Sequence, residues 1–184
     1  MKNILIIGKN SFVAKNFIEN YNYKLNLFYF DRYFRKKDLN FSKILIRYIK
    51  KNKINFILNF AGNNNNSLYH NNFDKVLESN FYLPLILLKV ASKLKISLFL
   101  FLSKDMNDNN KIKNFYALSK EMLNVYIDNN QFDCKLRILT IDSLYGPFDL
   151  NENRIFPSIF KNLHNKKKIK INLSQIKNFT YVKD

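Results

Sequence analysis

Tyr116 and Lys120 are the two side chains whose types and spacing most directly suggest chemistry. The stretch Tyr116-Ala117-Leu118-Ser119-Lys120 sets a phenol and an ammonium four residues apart. On a helix that spacing means one face and one turn. A phenol titrates at about pH 10 and is a poor base in neutral water. A neighbouring ammonium stabilises the phenolate and makes it a better one. Such a pair could move a proton to or from a substrate hydroxyl while hydride passes to a nicotinamide. Tyrosine and lysine are frequent in this chain, so the spacing alone is also compatible with chance.

A second constellation lies near the start. Gly8-Lys9-Asn10-Ser11-Phe12-Val13-Ala14 follows a short apolar run and opens an amphipathic stretch. In a dinucleotide site the first glycine permits a tight turn. The backbone then approaches a pyrophosphate held at the positive end of a helix. Ser11 and Ala14 stand at the later small-residue positions, and the same pattern also fits an ordinary strand–turn–helix. An acidic residue about 20 positions further on is expected to hold ribose hydroxyls, and Asp31 fills that place. Arg32, Arg35, Lys36 and Lys37 follow it, and a base there could receive the extra phosphate of NADP. Asp31 argues for NAD and Arg32 for NADP. Asp31 could equally be a plain turn residue.

The elements that must carry these residues are legible as alternation. Four nearly continuous apolar runs, Ile4–Ile7, Leu25–Phe30, Ile54–Phe60 and Ile96–Leu102, read as strands buried on both faces of a parallel sheet. Amphipathic stretches Phe12–Asn20, Ser42–Lys51 and Phe81–Leu94 lie between them. A further helix is expected over Ala117–Asn129 and a further strand over Cys134–Ile141. Alternating strand and helix implies right-handed crossovers and an α/β, doubly wound parallel sheet. From about Gly146 the character changes. Pro147 and Pro157 bracket a polar loop, Ile159–Leu163 reads as helical, and Phe179–Val182 reads as a strand. We therefore divide the chain into residues 1–145, a dinucleotide-binding domain, and residues 146–184, the beginning of a substrate-binding region that reads as truncated.

Composition narrows the partners. The chain has 184 residues, enough for one domain with a real core, and 47% of them are hydrophobic, which rules out a disordered chain. The formal charge is +17, from 31 Lys and Arg against 14 Asp and Glu. The abundance of Lys, Asn, Ile, Phe and Tyr, with only three glycines, matches a genome rich in A and T. That bias explains the excess of lysine without a nucleic-acid partner. Cys134 is the only cysteine, so no internal disulfide forms. No apolar run reaches the length of a membrane span or a signal-peptide core, and the expectation is a cytoplasmic protein. His70 and His164 stand alone and suggest no metal site.

Taken in order, these motifs resemble the extended short-chain dehydrogenase/reductase family: the NAD-dependent, nucleotide-sugar-modifying epimerases, dehydratases and reductases. Gly8, Ser11 and Ala14 resemble a relaxed glycine motif, and Asp38-Leu39 an acidic–aliphatic pair that contacts adenine. Asn59-Phe60-Ala61-Gly62 resembles the strand end beside the cofactor, and Asn80 the Asn that opens the long helix. Phe101-Leu102-Ser103 resembles the strand ending in serine, and Tyr145-Gly146-Pro147 the loop entering the substrate region. Residues Lys177 to Asp184 resemble an Arg-Asp-Phe-x-Tyr-Val-x-Asp segment. Lys104 stands where the family usually has a second hydroxyl residue, and Lys177 and Asn178 replace an Arg-Asp pair.

The resemblance implies a Rossmann-type fold and bound NAD or NADP. The implied contacts to it come from Gly8, Ser11, Phe12, Val13, Asp31, Arg32, Asp38, Leu39, Ala61, Gly62, Tyr116 and Lys120. It implies catalysis by Tyr116 and Lys120, with Ser103 as hydroxyl donor, on a nucleotide-sugar substrate. It leaves a homodimer open. The alternative is a non-catalytic dinucleotide-binding module that senses or docks.

Overall fold

A computed structural model of the chain describes residues 2–21, 24–30, 34–35, 38–63, 73–103, 115–141, 143–152, 154–169 and 178–184. Five strands form one parallel sheet: β1 (Lys2–Ile7), β2 (Leu25–Tyr29), β3 (Phe56–Asn59), β4 (Ser97–Ser103) and β5 (Leu136–Ile141). Their order across the sheet is β2-β1-β3-β4-β5. β1 therefore lies between β2 and β3, and the order reverses at the β1/β3 junction. In open α/β sheets the ligand crevice forms outside the carboxyl ends of the strands at such a switch.

The helices are α1 (Phe12–Asn20), α2 (Phe41–Lys51), α3 (Phe73–Leu77), α4 (Leu83–Leu94), α5 (Phe115–Asp128) and α6 (Ile155–His164). A π-helical turn, Glu78–Tyr82, joins α3 to α4. The apolar runs of the strands divide between two faces. Leu5 and Ile7 pack with Phe41, Leu45 and Ile49 of α2, Leu83, Leu87 and Leu88 of α4, and Leu123 and Ile127 of α5. Ile4 and Ile6 turn the other way, onto Ala14, Phe17 and Ile18 of α1. That alternation is why β1 reads as continuously apolar rather than as a two-faced strand. In α2, the buried Phe41, Leu45 and Ile49 recur every fourth residue, while Lys50 and Lys51 sit at its negative C-terminal end.

Few glycines are available to end helices. Lys95 closes α4 in the left-handed conformation, with φ 52° and ψ 39°, and Lys53 after α2 does the same with φ 50°. Beyond β5 the chain forms β6 (Ser143–Tyr145), which pairs in parallel with β7 (Phe179–Tyr181) as a separate two-stranded sheet. Arg154 precedes α6, a helix with no buried residue. β5 is the outer strand of the main sheet, and Ile138 and Leu139 there are 39% and 45% exposed. The expected helix over Phe81–Leu94 differs in detail. Its first residues belong to the π-helical turn, and α4 proper begins at Leu83.

Candidate active site

Gly8 forms the turn after β1 with φ +79°. A Cβ at this position would lie 2.5 Å from the Ala61 nitrogen, so the turn is pressed against the strand-end segment after β3. The Ser11 nitrogen donates to the Gly8 carbonyl at 3.0 Å. Ser11 then caps α1, its Oγ accepting from the Ala14 nitrogen at 3.2 Å. The first N–H groups of a helix have no intrahelical acceptor. Phe12 and Val13, the first two residues of α1, both line a cleft at this point.

That cleft has a volume of about 370 Å³ and runs along the carboxyl ends of β1, β3, β4 and β5. Besides Ser11, Phe12 and Val13 it is lined by Asn59, Phe60, Ala61 and Gly62 after β3, and by Phe101, Leu102 and Ser103 of β4. Tyr116 and Lys120 face it from α5. Ile141, Leu144, Phe148, Asp149, Leu150, Asn151 and Arg154 complete it. Ser103, Tyr116 and Lys120, separate in sequence, thus meet in one cavity with the start of α1.

Buried polar side chains fix its walls. The Asn59 Oδ1 accepts from the Ala61 nitrogen at 3.2 Å and shapes the bend after β3. Asn80, fully buried, is supplied by the π-helical turn. Its Oδ1 accepts from the Asn63 nitrogen and its Nδ2 donates to the Asn63 carbonyl, both at 2.8 Å. The same Nδ2 donates to Ser119 Oγ at 3.1 Å, and Ser119 Oγ donates to the Tyr116 carbonyl at 2.7 Å. Asn80 therefore ties the segment after β3 to the first turn of α5, beneath Tyr116. A buried amide satisfied on both sides orders its neighbours.

Lys120 is 6% exposed, and its Nζ donates to the Phe101 carbonyl at 2.8 Å. Burial pushes its pKa down from 10.5 to about 8. An ammonium kept out of water at the wall of a cleft is a frequent mark of a functional group.

Other expected residues lie elsewhere. Asp38 and Leu39 form the turn before α2. The Asp38 Oδ1 accepts from the Asn40 nitrogen at 3.2 Å, and Leu39 is 88% exposed; neither lines the cleft. Asp31 and Arg32 lie outside the described residues, as do Lys104 and most of the Ile169–Leu173 segment. The far wall of the cleft, from Ile141 to Arg154, falls at the expected strand end and the loop entering the substrate region, but none of its lining residues is among the expected contacts. The carboxyl end of β5 could have pointed to Ile141. No periodicity or spacing signals Arg154, which reaches the site by folding back onto Phe12 with 5.0 Å from its guanidinium to the ring centroid. Among the described residues, no group of three or more His, Cys, Asp or Glu could hold a metal ion, and no helix is long and apolar enough to cross a membrane.

A search of curated proteins by sequence returns no match. Solved structures share the fold. UDP-glucose 4-epimerase from Thermotoga maritima, crystallised with UDP-glucose, superposes with a TM-score of 0.76 at 15% identity, over 98% of this chain and 70% of that one. For dTDP-4-dehydrorhamnose reductase from Bacillus anthracis, in complex with NADP, the TM-score is 0.79 at 16% identity, over 100% and 68%. For dTDP-glucose 4,6-dehydratase from the same organism, in complex with NAD, it is 0.73 at 17% identity, over 100% and 68%. The family model whose description is NAD dependent epimerase/dehydratase matches residues 4–184. With a match over almost its whole length and a cleft at the switch point of its sheet, the chain belongs to the NAD dependent epimerase/dehydratase family.

Proposed function

We propose that this chain binds NAD or NADP in the cleft and epimerises, dehydrates or reduces a nucleotide-activated sugar. The observation that carries the reading is the convergence of Ser103, Tyr116 and Lys120 on the cavity that Ser11, Phe12 and Val13 open. The pinched Gly8 turn and the start of α1 fit a pyrophosphate, because Phe12 and Val13, the first two residues of the helix, line the cleft and helix geometry leaves their N–H groups without an acceptor inside the helix. Ala61 and Gly62 offer small surfaces beside it. Residues 1–145 supply these dinucleotide contacts in this reading, and residues 146–184 begin the substrate region. The neighbours crystallised with NAD, NADP and UDP-glucose support the cofactor and substrate class.

Hydride transfer is the chemistry a nicotinamide supplies. Tyr116 moves the proton to or from the sugar hydroxyl. Lys120 is the cation that favours the phenolate, and its burial strengthens that interaction by excluding water. Ser103, buried at the end of β4, donates a hydrogen bond to the substrate oxygen.

The test is binding followed by turnover. Purified chain is titrated with NAD and NADP, then assayed with UDP- and dTDP-sugars. Tyr116→Phe should keep cofactor affinity and lose turnover by about 10²–10⁴-fold, the usual worth of a general acid–base. Failure of both dinucleotides to bind at millimolar concentration refutes the reading. Dinucleotide binding without turnover in the parent chain favours a docking or sensing module.

A further inference from the structure

Asn16 lies in the middle of α1, is 3% exposed, and does not line the cleft. Its Nδ2 donates to the Phe12 carbonyl at 2.8 Å and to the Pro147 carbonyl at 2.7 Å. Both acceptors are carbonyls, so the amide can face them only with its nitrogen. Its Oδ1 is left buried without a partner. A buried amide with an unpaired oxygen is costly, and a leucine or alanine on this helix face would avoid that cost. The two bonds that remain join the first turn of α1 to a loop 131 residues away.

The neighbouring side chains of α1 hold the same loop. The Lys15 ammonium lies 5.8 Å from the centroid of the Phe148 ring, and the Arg154 guanidinium lies over Phe12. Arg154 in turn bonds Asp149 Oδ2 at 2.9 Å and the Leu144 carbonyl at 2.8 Å. Leu144, Phe148, Asp149, Asn151 and Arg154 form the far wall of the cleft, whereas Ser11, Phe12 and Val13 form the near wall. Asn16 is thus the buried fastener between two walls that belong to distant parts of the chain.

The geometry points to Asn16 as a positioning residue that couples the two ligands of the cleft. Because residues from 146 onward begin the substrate region in the proposed reading, a dinucleotide on the start of α1 steadies the wall that meets the substrate, and the substrate's nucleoside diphosphate, once bound, steadies the dinucleotide wall in return. The inference rests on the proposed dinucleotide and nucleotide-sugar reading. Coupling of this kind is reciprocal, so each ligand tightens the other by the same factor. The effect requires no contact between Asn16 and either ligand.

The experiment measures NAD affinity of the full chain with and without saturating UDP, and again with dTDP. It is repeated for Asn16→Leu and Asn16→Asp. Leu keeps the volume and removes the donors; Asp keeps the shape and turns an acceptor towards two carbonyls. The parent should bind NAD at least about fivefold more tightly with one of the diphosphates present, the lower end of common coupling. Both variants should bind NAD alone within about twofold of the parent, which also reports that they fold, and their coupling factor should fall to about 1. A residue with a merely structural role would lower stability and leave the ratio untouched. Parent coupling of 1, no diphosphate binding, or variants that keep the parent ratio would overturn the inference and leave the dinucleotide reading standing. Absence of NAD binding to the parent would instead remove the reading beneath it.

Discussion

Replacing Lys120 with methionine should make the protein more stable and less active. The side chain is buried, and among the described residues no carboxylate pairs with its ammonium. Its pKa stands at about 8 in the folded chain against 10.5 for an ordinary lysine. Below pH 8 both states carry the proton, and the folded state bears the full cost of the buried charge. The gap corresponds to about 3 kcal/mol at pH 7. Between about pH 8 and 10.5 the unfolded chain binds more protons than the folded one, so stability rises with pH across that window and the cost disappears above it. Methionine has a similar length and no charge. Loss of the bond to the Phe101 carbonyl returns about 1 kcal/mol. Lys120→Met is therefore expected to be about 2 kcal/mol more stable than the parent at pH 7, with the advantage falling to about zero by pH 10. Urea unfolding followed by circular dichroism at both pH values measures this. The difference between the two chains cancels the titration of the other lysines. A variant less stable at pH 7, or with the same pH dependence as the parent, would refute the reasoning and mean that the ammonium is compensated in the fold. Stability gained with turnover lost is the pattern of a group kept for function.

Gly8→Ala should cost at least about 2 kcal/mol, because a left-handed backbone at φ +79° and a Cβ 2.5 Å from the Ala61 nitrogen are both penalised. Thermal unfolding and NAD titration should show the loss together, and an unchanged melting temperature would contradict it. Lys95→Gly should stabilise by about 0.5–1 kcal/mol, raising the melting temperature by roughly 2–4 °C, because the left-handed end of α4 suits glycine; no rise would mean that the lysine makes a compensating contact. Asp31→Ala should narrow a preference for NAD over NADP, measured by competitive titration, since a carboxylate there would repel the extra phosphate. Equal affinities in the parent would assign the choice to Arg32 and its basic neighbours.

The sheet was legible because its strands are buried on both faces, which leaves uninterrupted apolar runs bounded by polar residues. β2, β3 and β5 fall inside the runs read from sequence, β4 continues past its run to Ser103, β1 begins earlier than its run, at Lys2, and α1 has the boundaries its amphipathic pattern implies. The family was legible because weak motifs, each ambiguous alone, fell in one order along the chain. Other features had no local signature. The π-helical turn at Glu78–Tyr82 is one: the helix expected from sequence starts at Phe81, inside the turn, and α3 before it has no counterpart among the expected helices. The far wall of the cleft depends on tertiary contacts: Asn16 with Pro147, and Arg154 with Phe12. Nothing in the spacing of those residues encodes a meeting across more than 130 positions.

The outer strand of the main sheet has a colloidal consequence. β5 carries exposed Ile138 and Leu139, and among the described residues no strand pairs with its free side. An open edge with apolar side chains can accept the edge of another copy. The opposing force is the net charge of +17, with Lys135 and Arg137 exposed on the edge itself. Repulsion between charges reaches about 8 Å at physiological ionic strength but only about 3 Å in 1 M salt. Paired strands lie about 4.8 Å apart. In dilute salt two edges repel before they can pair; in concentrated salt they meet while the repulsion is still screened. Association through this edge is consequently under electrostatic control, and purification at high ionic strength would favour it.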